Sequence, residues 1–183
     1  MRRGVMTLLV SIAACAVGVT LFAQKITDIG SGNGGSPHVR SEWTVDGAAI
    51  TIEYGRPSLK GRPESQMMPP GNPWRTGADQ ATTIKSSKPL AFGSVKLAAG
   101  TPYTINTIPG EKGWQLVIGR LDKPDQWGIP YQPALEIGRL PMSVGKAGAP
   151  VEQLTISIDD TAAGGTLRIE WGGVKATAPF TAG

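Results

Sequence analysis

From Val39 to Phe180 apolar and polar residues alternate in short runs, and a cluster of turn-forming residues closes each run. A period of two sends successive side chains to opposite faces of an extended strand, so the pattern predicts half-buried β-strands. Trp43-Thr44-Val45 and Ile50-Thr51-Ile52-Glu53-Tyr54 flank Asp46-Gly47, a residue pair suited to a two-residue hairpin turn. Ile50, Ile52 and Tyr54 then share one face, with Thr51 and Glu53 on the other. Similar alternation recurs at 82–85, 95–97, 103–108, 114–118, 135–140, 154–158, 167–171 and 174–180. Between these runs stand Ala99-Gly100-Thr101-Pro102, Pro109-Gly110-Glu111-Lys112-Gly113, Gly145-Lys146-Ala147-Gly148 and Ala163-Gly164-Gly165, all read as turns. The reading is an all-β fold, an antiparallel, jelly-roll-like β-sandwich of about nine or ten strands with no helix beyond the N-terminal segment. No repeat at a fixed period is present, which argues against a propeller or a solenoid.

Residues 1–23 break the pattern. Arg2-Arg3 precedes an apolar run from Val5 to Phe22, and Ala23 leaves a small side chain before Gln24. That is the form of a cleaved signal peptide, which predicts a periplasmic or secreted protein with no stable membrane insertion after cleavage. Ile12-Ala13-Ala14-Cys15 also fits a lipobox, and the run is just long enough for an uncleaved anchor. Its continuation well past Cys15 and the Ala23 boundary favour cleavage. Removal of the segment takes the single cysteine with it, so a thiol enzyme is excluded and a disulfide is not needed. Arg2 and Arg3 also account for half of the formal net charge of +4. The remaining charges are dispersed, so nucleic acid is not an expected partner.

Residues 24–37 are Gly/Ser-rich around Gly30-Ser31-Gly32-Asn33-Gly34-Gly35-Ser36 and read as a flexible tether to one domain at 38–183. Two further segments lack strand rhythm. Gly55 to Asp79 contains Pro57, Pro63, Pro69, Pro70 and Pro73, and Leu121 to Pro133 contains Trp127 and Tyr131. Irregular excursions of this length are usually functional or disordered.

The chain from Ser36 to Phe180 resembles DUF2911, a family of exported bacterial proteins of unknown function. The resemblance rests on Ser36-Pro37-His38, the run ITIEYGRPSLKGR from Ile50 to Arg62, and WRTGADQATT from Trp74 to Thr83. It continues through Ile108-Pro109-Gly110, Gln126-Trp127-Gly128, Ile137-Gly138-Arg139-Leu140-Pro141-Met142 and Leu167-Arg168-Ile169-Glu170-Trp171-Gly172. It departs at Ser65-Gln66-Met67-Met68-Pro69-Pro70, where the family pattern has a Gly-Gly and a hydrophobic pair. What the resemblance implies is export and a β-rich domain, with no agreed activity.

The candidate site lies in the first excursion. Arg56, Arg62 and Arg75 offer planar donor forks suited to carboxylate, phosphate or sugar hydroxyls, with Tyr54 and Trp74 as stacking platforms and Asp79 beside them. Trp127 in the second excursion is a further platform for a small polar or glycan-like ligand or a protein partner. The competing reading has Trp74 plugging one end of the fold while the arginines pair with Glu53, Asp79 or loop carbonyls. Trp114 and Trp171 lie in alternating runs and read as core. His38, the sole histidine, cannot close a zinc site without cysteines and reads as a hydrogen-bonded residue at a strand start. Asp122, Asp125, Asp159 and Asp160 lack the spacing of a calcium loop, so neither metal nor cofactor is expected. No nucleophile motif is present, which favours a binding module over an enzyme. A carboxylate pair assembled from separate strands, such as Glu53 with Glu170, is the route to a hydrolase. A purely structural envelope module is the third reading.

Overall fold

The computed structural model describes residues 24–123 and 131–183. The expected export segment and Trp127 lie outside those residues. Ten strands follow in chain order: β1 Lys25–Ser31, β2 Pro37–Val45, β3 Ala48–Gly55, β4 Thr83–Ser86, β5 Leu90–Phe92, β6 Val95–Leu97, β7 Tyr103–Ile108, β8 Trp114–Arg120, β9 Glu136–Thr161 and β10 Gly164–Ala182. All pairings are antiparallel, and the strands form a single sheet in the order β1-β2-β3-β4-β7-β8-β9-β10-β5-β6.

The all-β expectation holds, but two separate stacked sheets do not form. In a flat sheet β3 and β9 would stand about 19 Å apart, four strand spacings. Instead the Tyr54 hydroxyl on β3 accepts the Ile156 amide of β9 at 3.0 Å and donates to its carbonyl at 3.4 Å. The sheet is therefore curled over on itself and encloses the core between its own flanks. Ile50, Ile52, Ile84, Ile105, Leu116 and Ile118 bury their side chains from one flank. Leu154, Ile156, Leu167, Ile169, Trp171 and Phe180 meet them from the other.

Local chemistry explains the elements. Asp46 and Gly47 both adopt positive φ, 48° and 72°, as the type I′ turn between β2 and β3 requires. Val45 then faces Ala48, and the register carries Ile50 opposite Trp43 and Tyr54 opposite Val39. The expected turn at 145–148 does not form: Gly145 and Lys146 pair with Lys175 and Val174 inside the β9–β10 ladder. That ladder is irregular farther along, because Lys146 to Thr155 run opposite only Glu170 to Val174. Surplus residues on one strand bulge outward and bend it.

Two further expectations are corrected. Residues 25–31, read as part of a flexible tether, form edge strand β1, whose backbone pairs with β2 from Lys25↔Glu42 to Ser31↔Pro37. The unpaired edge of β2 supplies the donors and acceptors, and Ile26, Thr27 and Ile29 suit an extended backbone. The absence of helix is also inexact, since α1 Glu64–Met67 makes one turn and Pro133–Leu135 a 3-10 turn. Pro63 presets the backbone ahead of α1, Met68 is buried, and the Glu64 carboxylate accepts the Gly173 amide at 2.5 Å.

Candidate functional site

The first excursion is tied down at both ends. Its start zips onto the bulged part of β9: the Leu59 amide donates to the Glu152 carbonyl, and the Leu154 amide to the Pro57 carbonyl, each at 2.9 Å. Its end docks on β7, where Trp74 and Thr107 exchange both backbone hydrogen bonds at 2.7 and 2.8 Å. Between these anchors and the Gly34–Pro37 segment lies an open groove of about 500 Å³. Arg56, Arg62, Trp74, Arg75 and Asp79 all line it, as does Lys60.

Each arginine is braced by neutral oxygens. Arg56 donates from Nε to the Leu154 carbonyl and from Nη2 to the Thr155 hydroxyl, both at 3.0 Å. Arg62 holds the Leu59 and Ser58 carbonyls at 2.9 and 2.7 Å, so it closes the turn through Lys60-Gly61. Arg75 reaches four residues ahead to the Asp79 carbonyl at 2.8 Å. The anticipated pairing with loop carbonyls is thus present, and none of the three forms an ion pair among the described residues. Five donors per guanidinium leave most of their N–H groups without a protein partner among the described residues.

Trp74 is half-buried. Its indole stacks on Trp171 with centroids 5.6 Å apart and planes 14° from parallel, and meets Trp114 edge-on at 6.4 Å. Trp114 and Trp171 are core residues as expected, and Trp171 also reaches the groove wall. The loop that presents Trp74 carries backbone strain: Thr76 and Asp79 have φ of 55° and 62°, a region where a β-branched residue is rarely found. Buried contacts impose this conformation. The Thr76 hydroxyl lies 3.1 Å from that of Thr107, and the Thr82 hydroxyl donates to the Thr76 carbonyl at 2.9 Å. Strain of this kind, about 1–3 kcal/mol per residue, persists where surrounding structure over-determines it and is concentrated at ligand clamps and active sites.

Behind the groove His38 and Asp79 form a buried pair, Nε2 to Oδ2, at 3.4 Å. The other Asp79 oxygen accepts the Gly34 amide at 3.3 Å. Sequence reasoning gave His38 no carboxylate neighbour, because Asp79 is 41 positions away and no local spacing announces the contact. The pair and its loop explain two glycines: a Cβ on Gly32 would fall 1.8 Å from Asp79 Oδ2, and one on Gly55 would fall 2.8 Å from His38 Nε2 and 2.2 Å from the Ala78 carbonyl oxygen. The Gly-rich segment is therefore packed against the site. Lys60, Trp171 and residues 34–37 are groove residues that sequence reasoning did not assign to the site.

Tyr54 stands apart from the groove. It is buried on β3 against Ile156, and burial pushes its hydroxyl above the usual phenol range. Trp127 lies outside the described residues. No group of three or more His, Cys, Asp or Glu residues suited to holding a metal occurs among the described residues.

Nothing among curated proteins or solved structures matches the chain. A family match does exist and spans residues 36–180, the stretch that contains His38, the whole first excursion, strands β2 to β9 and β10 as far as Phe180. The chain belongs to the DUF2911 family, described as a protein of unknown function.

Proposed function

We propose that the protein is exported and acts as a non-catalytic binding module, its groove taking a small polar ligand or the loop of a partner. The observation that carries this reading is the convergence of Arg56, Arg62, Arg75 and Trp74 on one open groove, with donors left over and a strained loop presenting them. Export is supported by Arg2-Arg3, the apolar run and the Ala23 boundary. A carboxylate-based hydrolase receives no support from the groove, whose carboxylate, Asp79, is buried against His38. Glu53 and Glu170 are occupied by Arg40 and Arg168 at 2.7 and 3.3 Å, and neither lines the groove.

A thermal-shift screen of monosaccharides, amino acids, organic acids and short glycans tests the binding reading. The expected result is a compound that raises the melting temperature of the native chain and not of Arg62→Ala. No hit from any class would overturn the small-ligand reading. Intact-mass analysis of the exported form, expected to begin at Gln24, tests export; retention of residues 1–23 or a lipidated Cys15 would contradict it.

One observation favours a structural envelope module instead: every groove arginine also fastens its loop, Arg56 to β9 and Arg62 and Arg75 to backbone carbonyls of the loop itself. On that reading Arg56→Ala and Arg75→Ala lower stability and the screen stays empty.

A further inference from the structure

We infer that the ligand of this groove carries an oxyanion, a carboxylate or a phosphate, seated on the guanidinium groups of Arg56, Arg62 and Arg75. The inference rests on the binding reading above and narrows it to a chemical class.

The argument begins with how arginines are distributed over the molecule. Away from the groove, Arg40, Arg139 and Arg168 each sit on a carboxylate, with N···O distances of 2.7, 2.5 and 3.2 Å. Arg120 bonds the Ala134 carbonyl instead. Among the described residues the three arginines of the groove bond only carbonyl and hydroxyl oxygens, which orient a guanidinium without neutralising it. Lys60 adds a fourth cation to the lining, against Asp79 as the lining carboxylate. Both Asp79 oxygens already have partners, His38 and the Gly34 amide, so that carboxylate is drawn away from the arginines.

Physical chemistry selects the ligand from this arrangement. Arg56 and Arg75 are half-buried, so part of their hydration is lost and a nearby anion gains more than it would at an open surface. A neutral sugar could take the free N–H donors but would leave the cations uncompensated. A carboxylate or phosphate accepts from two N–H groups of one guanidinium and offsets the charge as well. The arginines are also held in advance by β9 and by their own loops, which lowers the ordering cost of binding. Trp74, stacked on Trp171, forms an apolar wall beside them and suits a ligand with a flat or ring-shaped body next to the acid.

Glucose, glucuronate and glucose 6-phosphate share one ring and differ at C6, so calorimetric titration of the full chain with each isolates the charge. The expected result is at least tenfold tighter binding of one or both acids than of glucose, with inorganic phosphate competing and with affinity falling as salt rises. The ranking of the two acids distinguishes a carboxylate from a phosphate ligand. Arg62→Ala, an exposed position, and Arg75→Gln should each weaken the acid at least tenfold, whereas Arg120→Ala should not; circular dichroism checks that the variants are folded. Glucose bound as tightly as either acid would overturn the oxyanion while leaving the binding reading intact. Equal acid affinity in the native chain and both groove variants would overturn it too, as would no binding of either acid or of inorganic phosphate.

Discussion

The guanidinium of Arg75 meets a carbonyl, so its removal strands no buried carboxylate. Arg75→Ala should therefore cost about 1.5 kcal/mol, the scale of a hydrogen bond from a charged donor. That is well short of the roughly 3–5 kcal/mol lost when a buried ion pair is broken. A urea melt beside the native chain measures the difference. Gly55→Ala should do more damage than its single added methyl suggests, because the new Cβ meets the backbone oxygen of Ala78 and His38 Nε2. About 2–3 kcal/mol of destabilisation is expected, the range of an overpacked site, again read by urea. Tyr54 gives the fold an alkaline limit. Its folded hydroxyl titrates above the ordinary value because burial disfavours the phenolate, so the unfolded chain releases the proton first. Stability from this group is full below about pH 10 and declines as pH rises through the folded value. Urea melts between pH 9 and 11 should show that decline, and Tyr54→Phe should flatten it.

At the scale of elements, β1 is the outermost strand and all seven of its residues are exposed. Little apolar burial holds it, so local opening should release it before the core unfolds. Hydrogen exchange is the check: β1 amides should exchange orders of magnitude faster than those of β3 and β8, which lie inside the sheet. The bulged stretch of β9 has a different use, since Pro57 and Leu59 pair with the backbone it exposes. The groove exists where two irregular segments satisfy one another. Most strands were legible from alternation alone. The exceptions are instructive: β5, Leu90–Phe92, is too short for a period to register, and 145–148 carries turn residues that the β10 partner nevertheless holds extended.

Among the described residues one hydrophobic core joins both flanks of the curled sheet, and Trp43, Trp114 and Trp171 are buried in it with Trp74 packed against it. Indole fluorescence and far-ultraviolet circular dichroism should therefore report one coincident urea transition. Two separated transitions would mean that the β9–β10 flank unfolds independently.

The sequence by itself determined the β class, most of the strands, the shared buried face of Ile50, Ile52 and Tyr54, the hairpin at Asp46-Gly47 and the irregular stretch between Gly55 and Asp79. These depend on period and on local dihedral preference, which neighbours along the chain report. Only the tertiary structure decided that one sheet curls over itself, that the Gly-rich segment and β1 belong to the fold, that His38 faces Asp79, and that Tyr54 stays in the core while three arginines line one groove with Trp74. The decisive contacts join residues far apart in the chain, 41 positions for His38 with Asp79 and 102 for Tyr54 with Ile156. Their pairing is set by how strands stack and by which backbone groups a bulge leaves free, and neither quantity is written in any local window of residues.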